Sequence, residues 1–323
     1  MLFRSTDAGA RSHFVVVGVG RDLVLEELKA SSFPKVYDVW QKEQLGTGHA
    51  ALSALPAMSR AEDLIVIMNG DGPLLKKETI EKFVENHRVR KADLSLGVME
   101  LENPFGYGRV LMSKGSPKAI VEEKEASPTQ KKIRVVNGGL YAISRKLLEQ
   151  LLPKLSKSKV TGELYLTDIV ALASKARRKM VVFSCPPEEL GGVNDMVQLA
   201  EAESVLRSRL IHRWMKDGVR VEAPSALWVD SQVVCEPGAV LGPNVVLRGN
   251  TVVKAGARID ANSVLQDCLV EEGAVVLAHS HLEGALVRME ARVGPYARLR
   301  PGAEIGAKAH IGNFVEVKKS KIG

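Results

Sequence analysis

Aromatic residues are scarce in this chain, at 5% of 323 residues, and cysteines number only three. A core with so few rings must be filled mainly by aliphatic side chains. Cys185, Cys235 and Cys268 are odd in number and widely scattered, so they suit neither a disulfide framework nor a CxxC zinc site, and a reducing compartment, the cytoplasm, is expected. No apolar run approaches the roughly 20 residues of a membrane span. The opening MLFRSTDAGARSH lacks the apolar core of a signal peptide. With 45% hydrophobic and 26% charged residues, the composition also excludes a disordered, collagenous or coiled-coil chain.

Glycine is what the chain has in quantity, 28 of them beside 14 prolines, so the backbone turns often and a repetitive β architecture is expected. The length suggests two domains at about 150 residues each. A formal charge of +7 favours anionic partners, but 38 acidic residues are interspersed among 45 basic ones. Nucleotides, phosphosugars or coenzyme A fit that balance as well as nucleic acid, which has only the net charge behind it and no aromatic-rich basic motif.

The first part alternates between strand and helix signals. Phe14 to Val17 is a short β-branched run ended by Gly18 and Gly20 and followed by an amphipathic stretch with Leu23, Leu25 and Leu28. A second unit runs through LIVIM to NGDGPLL and a helical KKETIEKFVENH. This is the βα grammar of a parallel sheet, whose ligands sit at the carboxyl ends of strands. From Asn194 a single helical pattern takes over, with Asn194 or Asp195 as its N-cap and Leu199, Ala202, Leu206, Leu210 and Trp214 on one stripe, ending at Asp217-Gly218. It reads as a bridge between domains.

Beyond Trp228 the sequence repeats every six residues. Aliphatic residues, with Cys235 filling one place, fall at Val229, Cys235, Leu241, Leu247, Val253, Ile259 and Leu265. After a five-residue step the pattern continues at Val270, Val276 and Leu282, and after another at Val287, Val293, Leu299, Ile305, Ile311 and Val317. Small or β-branched residues, among them Val233, Ala239, Val245, Thr251, Ala257 and Ser263, stand four places after most members of the first run. A period of six is neither the 3.6 of a helix nor the 2 of a long strand; it fits a short strand plus a tight turn, stacked as a solenoid.

Candidate chemistry lies at a few places. In WQKEQLGTGHAALSAL, Gly46 and Gly48 allow close approach of a ligand and Thr47 supplies a hydroxyl, although a plain turn before a helix gives the same pattern and His49 could be a packing histidine. Gly18-Val-Gly20 lacks the third glycine of a dinucleotide fingerprint and reads as a turn. Asp71, within Asn69-Gly70-Asp71-Gly72 after the apolar strand, is either a magnesium ligand working with substrate phosphates or part of an Asp-Gly turn. Asn194 either completes that metal site or caps the helix. Arg298, Arg300, Lys318, Lys319 and Lys321 form either an anion pocket or a solvated basic face.

The order of QKEQLGTGHA, IMNGDGPL, NPFGYGRV, IVEEKEA, VVNGGLYA, TGELYLTDIVALA and GVNDMVQLAEAE, followed by RLRPGAEIGAKAHIGNFVEVKKSKIG, resembles the bacterial bifunctional N-acetylglucosamine-1-phosphate uridyltransferase and glucosamine-1-phosphate acetyltransferase family. The resemblance runs from about Gly18 to Gly323. It implies a Rossmann-like α/β nucleotidyltransferase domain over 1–193, a linker helix over 194–218 and a left-handed parallel β-helix of hexapeptide repeats over 219–323 that forms a homotrimer. It further implies acetyl transfer from acetyl-CoA to glucosamine 1-phosphate in the β-helix, and uridylyl transfer from UTP to N-acetylglucosamine 1-phosphate in the first domain.

Carried over by motif, Gln41, Gly46 and Thr47 would hold the uracil, and Asp71 and Asn194 would hold Mg2+. Asn69 and Gly70 complete the UDP-sugar set, with Gly108, Glu122 and Asn137 on the sugar. Arg300 and Lys318 would bind the phosphosugar for acetyl transfer. Two departures stand out. Nothing in residues 1–20 matches the family's LxxGxGxRM loop and following lysine, and the family's GHLTYLGD-like segment with its catalytic histidine has no counterpart; His310 lies in a different motif. Both domains are therefore expected to be incomplete, at the N-terminus of the first and the C-terminus of the second, and the chain weak or inactive in both reactions. Asn69 also stands where the family often has an aromatic residue. Another sugar-1-phosphate nucleotidyltransferase with a β-helix tail, or a regulatory or scaffold subunit of the same architecture, is the alternative expectation.

Overall fold

In the computed structural model, which describes residues 2–30, 35–59 and 63–323, the chain divides into two compact units, Met1–Gln198 and Leu199–Gly323. The first begins with α1 (Leu2–Asp7), β1 (His13–Val17), α2 (Arg21–Ala30), β2 (Val36–Trp40) and α3 (Thr47–Ala54). Next come β3 (Leu64–Met68), α4 (Lys77–Val89), β4 (Leu94–Glu100), β5 (Arg109–Ser113), β6 (Ser116–Val121) and α5 (Pro128–Lys131). It closes with β7 (Val135–Ser144), α6 (Arg145–Leu151), α7 (Asp168–Lys175), β8 (Met180–Ser184) and α8 (Pro187–Leu190), before a long helix, α9 (Met196–Lys216).

The expected βα order holds, but the sheet is mixed rather than parallel. β7 runs antiparallel to β3, β4 and β5, and among the described strands of this sheet β4 and β8 alone pair in parallel. Hydrophobic pattern dictates which faces of a strand are buried and is silent about its direction, and β7 is apolar on both faces. Val136, Leu140 and Ala142 pack with Phe83 and Ile80 of α4, while Tyr141 and Ile143 pack with Leu148 of α6 and Ile169 and Val170 of α7. Helices thus cover both faces, as an α/β layering requires. One edge of the ten-residue β7 is shared: Leu140 to Ser144 pair with β3, and Val136 pairs with Arg109 of β5.

A second difference concerns β1 and β2. They pair with each other in parallel, Val15 with Asp38 and Val17 with Trp40, as a separate two-stranded sheet. The predicted helix α2 forms beside them without fully burying any residue.

The second unit is a parallel solenoid whose strands form three six-stranded sheets. Each strand pairs with the one a full turn later, as Val229 with Leu247 and Leu247 with Leu265. Where the sequence takes its five-residue steps the register absorbs them, so that Val253 lies on Val270 and Leu265 on Leu282. The column from Val229 to Val317 is buried throughout, with Val233, Ala239, Val245, Thr251, Ala257 and Ser263 beside it. The two buried hydroxyls among these donate to main-chain oxygens, Thr251 to Arg248 at 2.6 Å and Ser263 to Leu277 at 3.2 Å. A stack of corner residues takes positive φ: Asn244 at 56°, Asn262 at 60°, His279 at 61°, Tyr296 at 54° and Phe314 at 55°. The last three stack ring on ring, with centroids 4.9 and 5.2 Å apart.

The predicted helix is present, with Asp195 Oδ1 accepting from the Gln198 amide at 2.8 Å in the capping position. It is more than a linker. The division between units falls inside it, and Ile211 and Trp214 of its last turns belong to the solenoid core. The Arg207 guanidinium lies 3.6 Å from the centre of the Trp228 ring on the first coil. A helix laid over the first coil covers the end of the aliphatic column, which an open solenoid end would expose.

Ile259 is fully buried and its neighbour Arg258 is exposed. Ile259→Ala should lower the stability of the second unit by about 2–5 kcal/mol, and Arg258→Ala by less than about 1 kcal/mol, in denaturant unfolding followed by fluorescence of the buried Trp214.

Candidate functional site

The loop between β2 and α3 is zipped to the stretch that precedes α7. Gly48 N–H donates to the Leu164 carbonyl at 2.8 Å, Leu164 N–H to the Leu45 carbonyl at 2.7 Å, and Leu166 N–H to Thr47 Oγ1 at 3.0 Å. Gly46 sits at φ 101°, and a Cβ there would lie 2.6 Å from the Leu164 oxygen, so the two backbones can approach only because the position is glycine. Thr47 Oγ1 accepts from Leu166, which leaves its O–H to donate. Gln41 reaches the same loop, its Nε2 donating to the Gly46 carbonyl at 3.1 Å and lying 3.0 Å from His49 Nδ1.

At the carboxyl end of β3 the chain turns through Asn69, Gly70 and Asp71. Asp71 and Asn194, far apart in sequence, flank Gly192: a Cβ at that glycine would meet Asp71 Oδ2 at 2.7 Å and Asn194 Nδ2 at 3.5 Å. The Val193 amide also donates to the Asp71 carbonyl at 3.0 Å. The helix cap is Asp195, so the Asn194 side chain is not spent on capping. Asn69 lies against Gly139, whose positive φ of 69° and missing side chain make room for it, while Gly70 faces open space.

Glu189, which the sequence reading did not single out, ties this corner together. Burial alone would raise its carboxyl pKa, but hydrogen bonds from Thr79 Oγ1 at 2.6 Å and Lys76 N–H at 3.1 Å, with Lys76 Nζ at 3.0 Å, hold it below the usual carboxylate range. The segment after Asp71 is thereby fastened to α8, which leads into Gly191 to Asn194.

Gly108, Glu122 and Asn137 also come together. The Asn137 amide donates to the Gly108 carbonyl at 2.8 Å, and a Cβ on Gly108 would lie 3.3 Å from Glu122 Oε2. Asn137 Oδ1 accepts from Tyr141 O–H at 2.9 Å and Gly139 N–H at 3.2 Å, which turns its Nδ2 into the available donor. Desolvation raises the Glu122 pKa, and neighbouring Asp168, Glu125 and Glu163 add to the rise; the hydrogen bond from Thr167 Oγ1, at 2.7 Å, opposes it. Glu122 therefore favours the fold most when neutral, below the ordinary carboxylate range, and that contribution is lost as pH rises through its elevated value. Beneath this cluster the buried Arg109 pairs with Glu123 at 2.5 Å, which also accepts from Gly106 N–H at 3.3 Å and so fixes the turn before Gly108. Thr167, Tyr141 and Arg109 all lie inside the motifs GELYLTD, VVNGGLYA and GYGRV, but only the folded contacts mark them out.

In the second unit the predicted basic cluster separates. Leu299 pairs with Val317, so Arg300 and Lys318 occupy the same place on adjacent coils, with Arg300 Nη1 3.2 Å from Glu316. Arg298 instead meets His281 at 3.1 Å, and Lys321 meets Glu304 at 3.1 Å on another sheet. The cysteines are buried and free, their thiols pushed up by desolvation to about 12 at Cys185 and Cys235 and about 11 at Cys268, which leaves them inert as nucleophiles.

Among the described residues, no group of three or more His, Cys, Asp or Glu could hold a metal ion. The Asp71 carboxylate and the Asn194 carboxamide, brought together because Gly192 has no side chain, are a donor set that suits magnesium, which keeps several waters and takes its remaining ligands from substrate phosphates. Also among the described residues, no helix is long and apolar enough to cross a membrane.

Replacing Thr167 by Val removes the hydrogen bond that favours ionised Glu122. The Glu122 carboxyl should then titrate at higher pH than in the parent chain, as read by carboxyl carbon NMR; an unchanged midpoint would show that this bond does not set the ionisation.

Residues 3–204 match the family model described as Nucleotidyl transferase, and residues 224–322 match one described as GMPPB C-terminal domain. Curated relatives are named Bifunctional protein GlmU. That of Anaeromyxobacter dehalogenans (strain 2CP-C) is 41% identical over 99% of this chain and 66% of its own length. Those of Stutzerimonas stutzeri (strain A1501) and Bdellovibrio bacteriovorus are 39% and 38% identical, over 97% and 99% of this chain and 68% and 69% of theirs. Among solved structures, UDP-glucose pyrophosphorylase complexed with UDP-glucose aligns at a TM-score of 0.44 and 15% identity, over 57% of this chain and 76% of that one, too distant a likeness to bear on function. The chain thus spans about two thirds of the length of the curated relatives it matches. It belongs to the nucleotidyl transferase family, among the bifunctional GlmU proteins.

Proposed function

We propose that the chain carries the two sites of UDP-N-acetylglucosamine synthesis: uridylyl transfer from UTP to N-acetylglucosamine 1-phosphate in the first unit, and acetyl transfer from acetyl-CoA to glucosamine 1-phosphate in the solenoid. The observation that carries this reading is the convergence of Asp71 and Asn194 around Gly192 at the end of β3, where α/β sheets bind their ligands.

Uridylyl transfer joins a sugar phosphate oxygen to the α-phosphorus of UTP and breaks the bond to the pyrophosphate leaving group. It needs alignment and charge neutralisation rather than a protein nucleophile. Gln41, the Gly46 backbone and the Thr47 hydroxyl hold the uracil, with Asn69 and Gly70 beside the bound UDP-sugar. Glu122 accepts from sugar hydroxyls, Asn137 Nδ2 donates, and the Gly108 backbone lies against the ring. Asp71 and Asn194 would hold Mg2+, which neutralises phosphate charge when bound.

In the solenoid, Arg300 and Lys318 hold the phosphate of glucosamine 1-phosphate. Its amine must lose a proton before it attacks the thioester carbon of acetyl-CoA and releases the thiol of CoA. The exposed outer face of the solenoid serves assembly into a homotrimer, and the protein works in the cytoplasm on small molecules rather than on nucleic acid or membrane. The match of residues 224–322 to the GMPPB C-terminal domain favours a second reading, a guanylyl-type sugar-1-phosphate nucleotidyltransferase.

Calorimetric titration separates the two. The chain should bind UDP-N-acetylglucosamine at least tenfold more tightly than GDP-mannose or ADP-glucose, and Asp71→Asn should abolish the enhancement of that binding by Mg2+. Arg300→Ala should weaken glucosamine 1-phosphate about tenfold and leave the uridine ligand untouched. Preference for the guanine ligand would favour the second reading.

A further inference from the structure

His49 has no part in the function proposed above. It is half-buried in the first turn of α3, and its Nδ1 lies 3.0 Å from Gln41 Nε2, which also reaches the Gly46 carbonyl at 3.1 Å. A carboxamide has a donor end and an acceptor end, and a flip exchanges them. The Gly46 oxygen can only accept, so it requires the Gln41 nitrogen on its side. That nitrogen carries two hydrogens, and the second points at His49 Nδ1. Such a bond forms only if Nδ1 is unprotonated and the imidazole proton sits on Nε2. Both hydrogens are then used, and Oε1, which has no partner among the described residues, is the one function Gln41 can offer a ligand.

We infer that His49 is the positioning residue that locks the Gln41 side chain with its oxygen outward, and that this lock selects a uracil base over cytosine. The inference rests on the reading of this loop as the base site. Uracil presents an N3–H donor between two carbonyl oxygens, whereas cytosine presents an N3 lone pair beside an amino group. A fixed carbonyl oxygen pairs with the first and faces the second lone pair to lone pair. A free carboxamide could flip to satisfy either base, so recognition by Gln41 alone would discriminate little. The second contact converts an adaptable side chain into an obligate acceptor, and selectivity arises because the wrong base leaves polar groups unpaired. The Gly46 carbonyl chooses which end of the carboxamide faces the loop, and His49, taking the second hydrogen, keeps that end from turning away.

The test compares binding of UDP-N-acetylglucosamine and CDP-N-acetylglucosamine by the full chain and its variants. His49→Phe keeps a ring and removes the acceptor; His49→Asn places Oδ1 where Nδ1 stood. The ratio of uridine to cytidine affinity should fall about tenfold in His49→Phe and stay near the parent value in His49→Asn, with the affinity for N-acetylglucosamine 1-phosphate unchanged in both. A parent preference for uridine that His49→Phe retains would overturn the role of His49 and leave the base-site reading standing. A parent chain with no preference between the two bases would overturn both. Should His49→Phe fail to fold, imidazole nitrogen NMR of the parent chain decides: the Nε2–H tautomer is expected, and a protonated Nδ1 would sink the lock.

Discussion

Four residues, Leu164 to Thr167, which turn into the start of α7, hold the glycine loop and Glu122 in one frame. Leu164 exchanges two main-chain hydrogen bonds with the glycine loop, Leu166 donates to Thr47, and the Thr167 hydroxyl reaches Glu122. The glycine loop and the Glu122 carboxylate are therefore braced on a single segment, itself anchored where Leu166 and Thr167 enter the core. Because the main-chain bonds come in pairs and the glycines admit no side chain, the loop cannot shift without breaking several contacts at once. Rigid placement of this kind is what the in-line transfer proposed above would need, since about an ångström of misplacement can cost two orders of magnitude in rate.

The opposite side of the site is fixed by charge. Glu189 is buried with two hydrogen bonds and an ammonium group on its carboxylate. Removing the groups that bond this carboxylate would leave a buried, uncompensated ion, at a typical cost of about 3–5 kcal/mol, whereas the Lys76 ammonium is 41% exposed and keeps water. That cost keeps the loop carrying Asp71 against the helix leading to Asn194. Glu122 is governed by the reverse balance, because desolvation and nearby carboxylates outweigh its one hydrogen bond. Two carboxylates of the same unit are thus driven in opposite directions, one as a permanent anchor and the other toward the neutral form.

The solenoid works by repetition. Each coil buries one aliphatic residue per face and turns its corners with positive φ, in places at residues other than glycine. Asparagine adopts that conformation readily; histidine, tyrosine and phenylalanine less so. At the corner running from Asn244 to Phe314 the strain is offset by stacking of consecutive rings. The stacked backbone of this corner also puts Arg300 and Lys318 on neighbouring rungs, since a shift in register would move the whole aliphatic column outward with them.

The hexapeptide column was legible from spacing alone, down to the two five-residue steps, because a period of six suits few other structures and every member had to be buried. The βα order and the capped helix after Asp195 were legible for the same reason: local pattern dictates local structure. Strand direction was not, because β7 is apolar on both faces and its neighbours alone decide which way it runs. The motifs pointed to Gln41, Asp71, Glu122, Asn137 and Asn194, yet left open whether Asp71 and Asn194 were ligands or a turn and a cap. Folding decided that they meet, since their proximity spans more than a hundred residues of chain and no local rule governs it. It also decided the parts played by Thr167, Glu189 and His49, whose significance lies wholly in what they touch. The sequence by itself determined the periodic elements and the list of candidate side chains; the tertiary structure alone determined their partners, because hydrogen bonds and desolvation depend on distance in space rather than on distance along the chain.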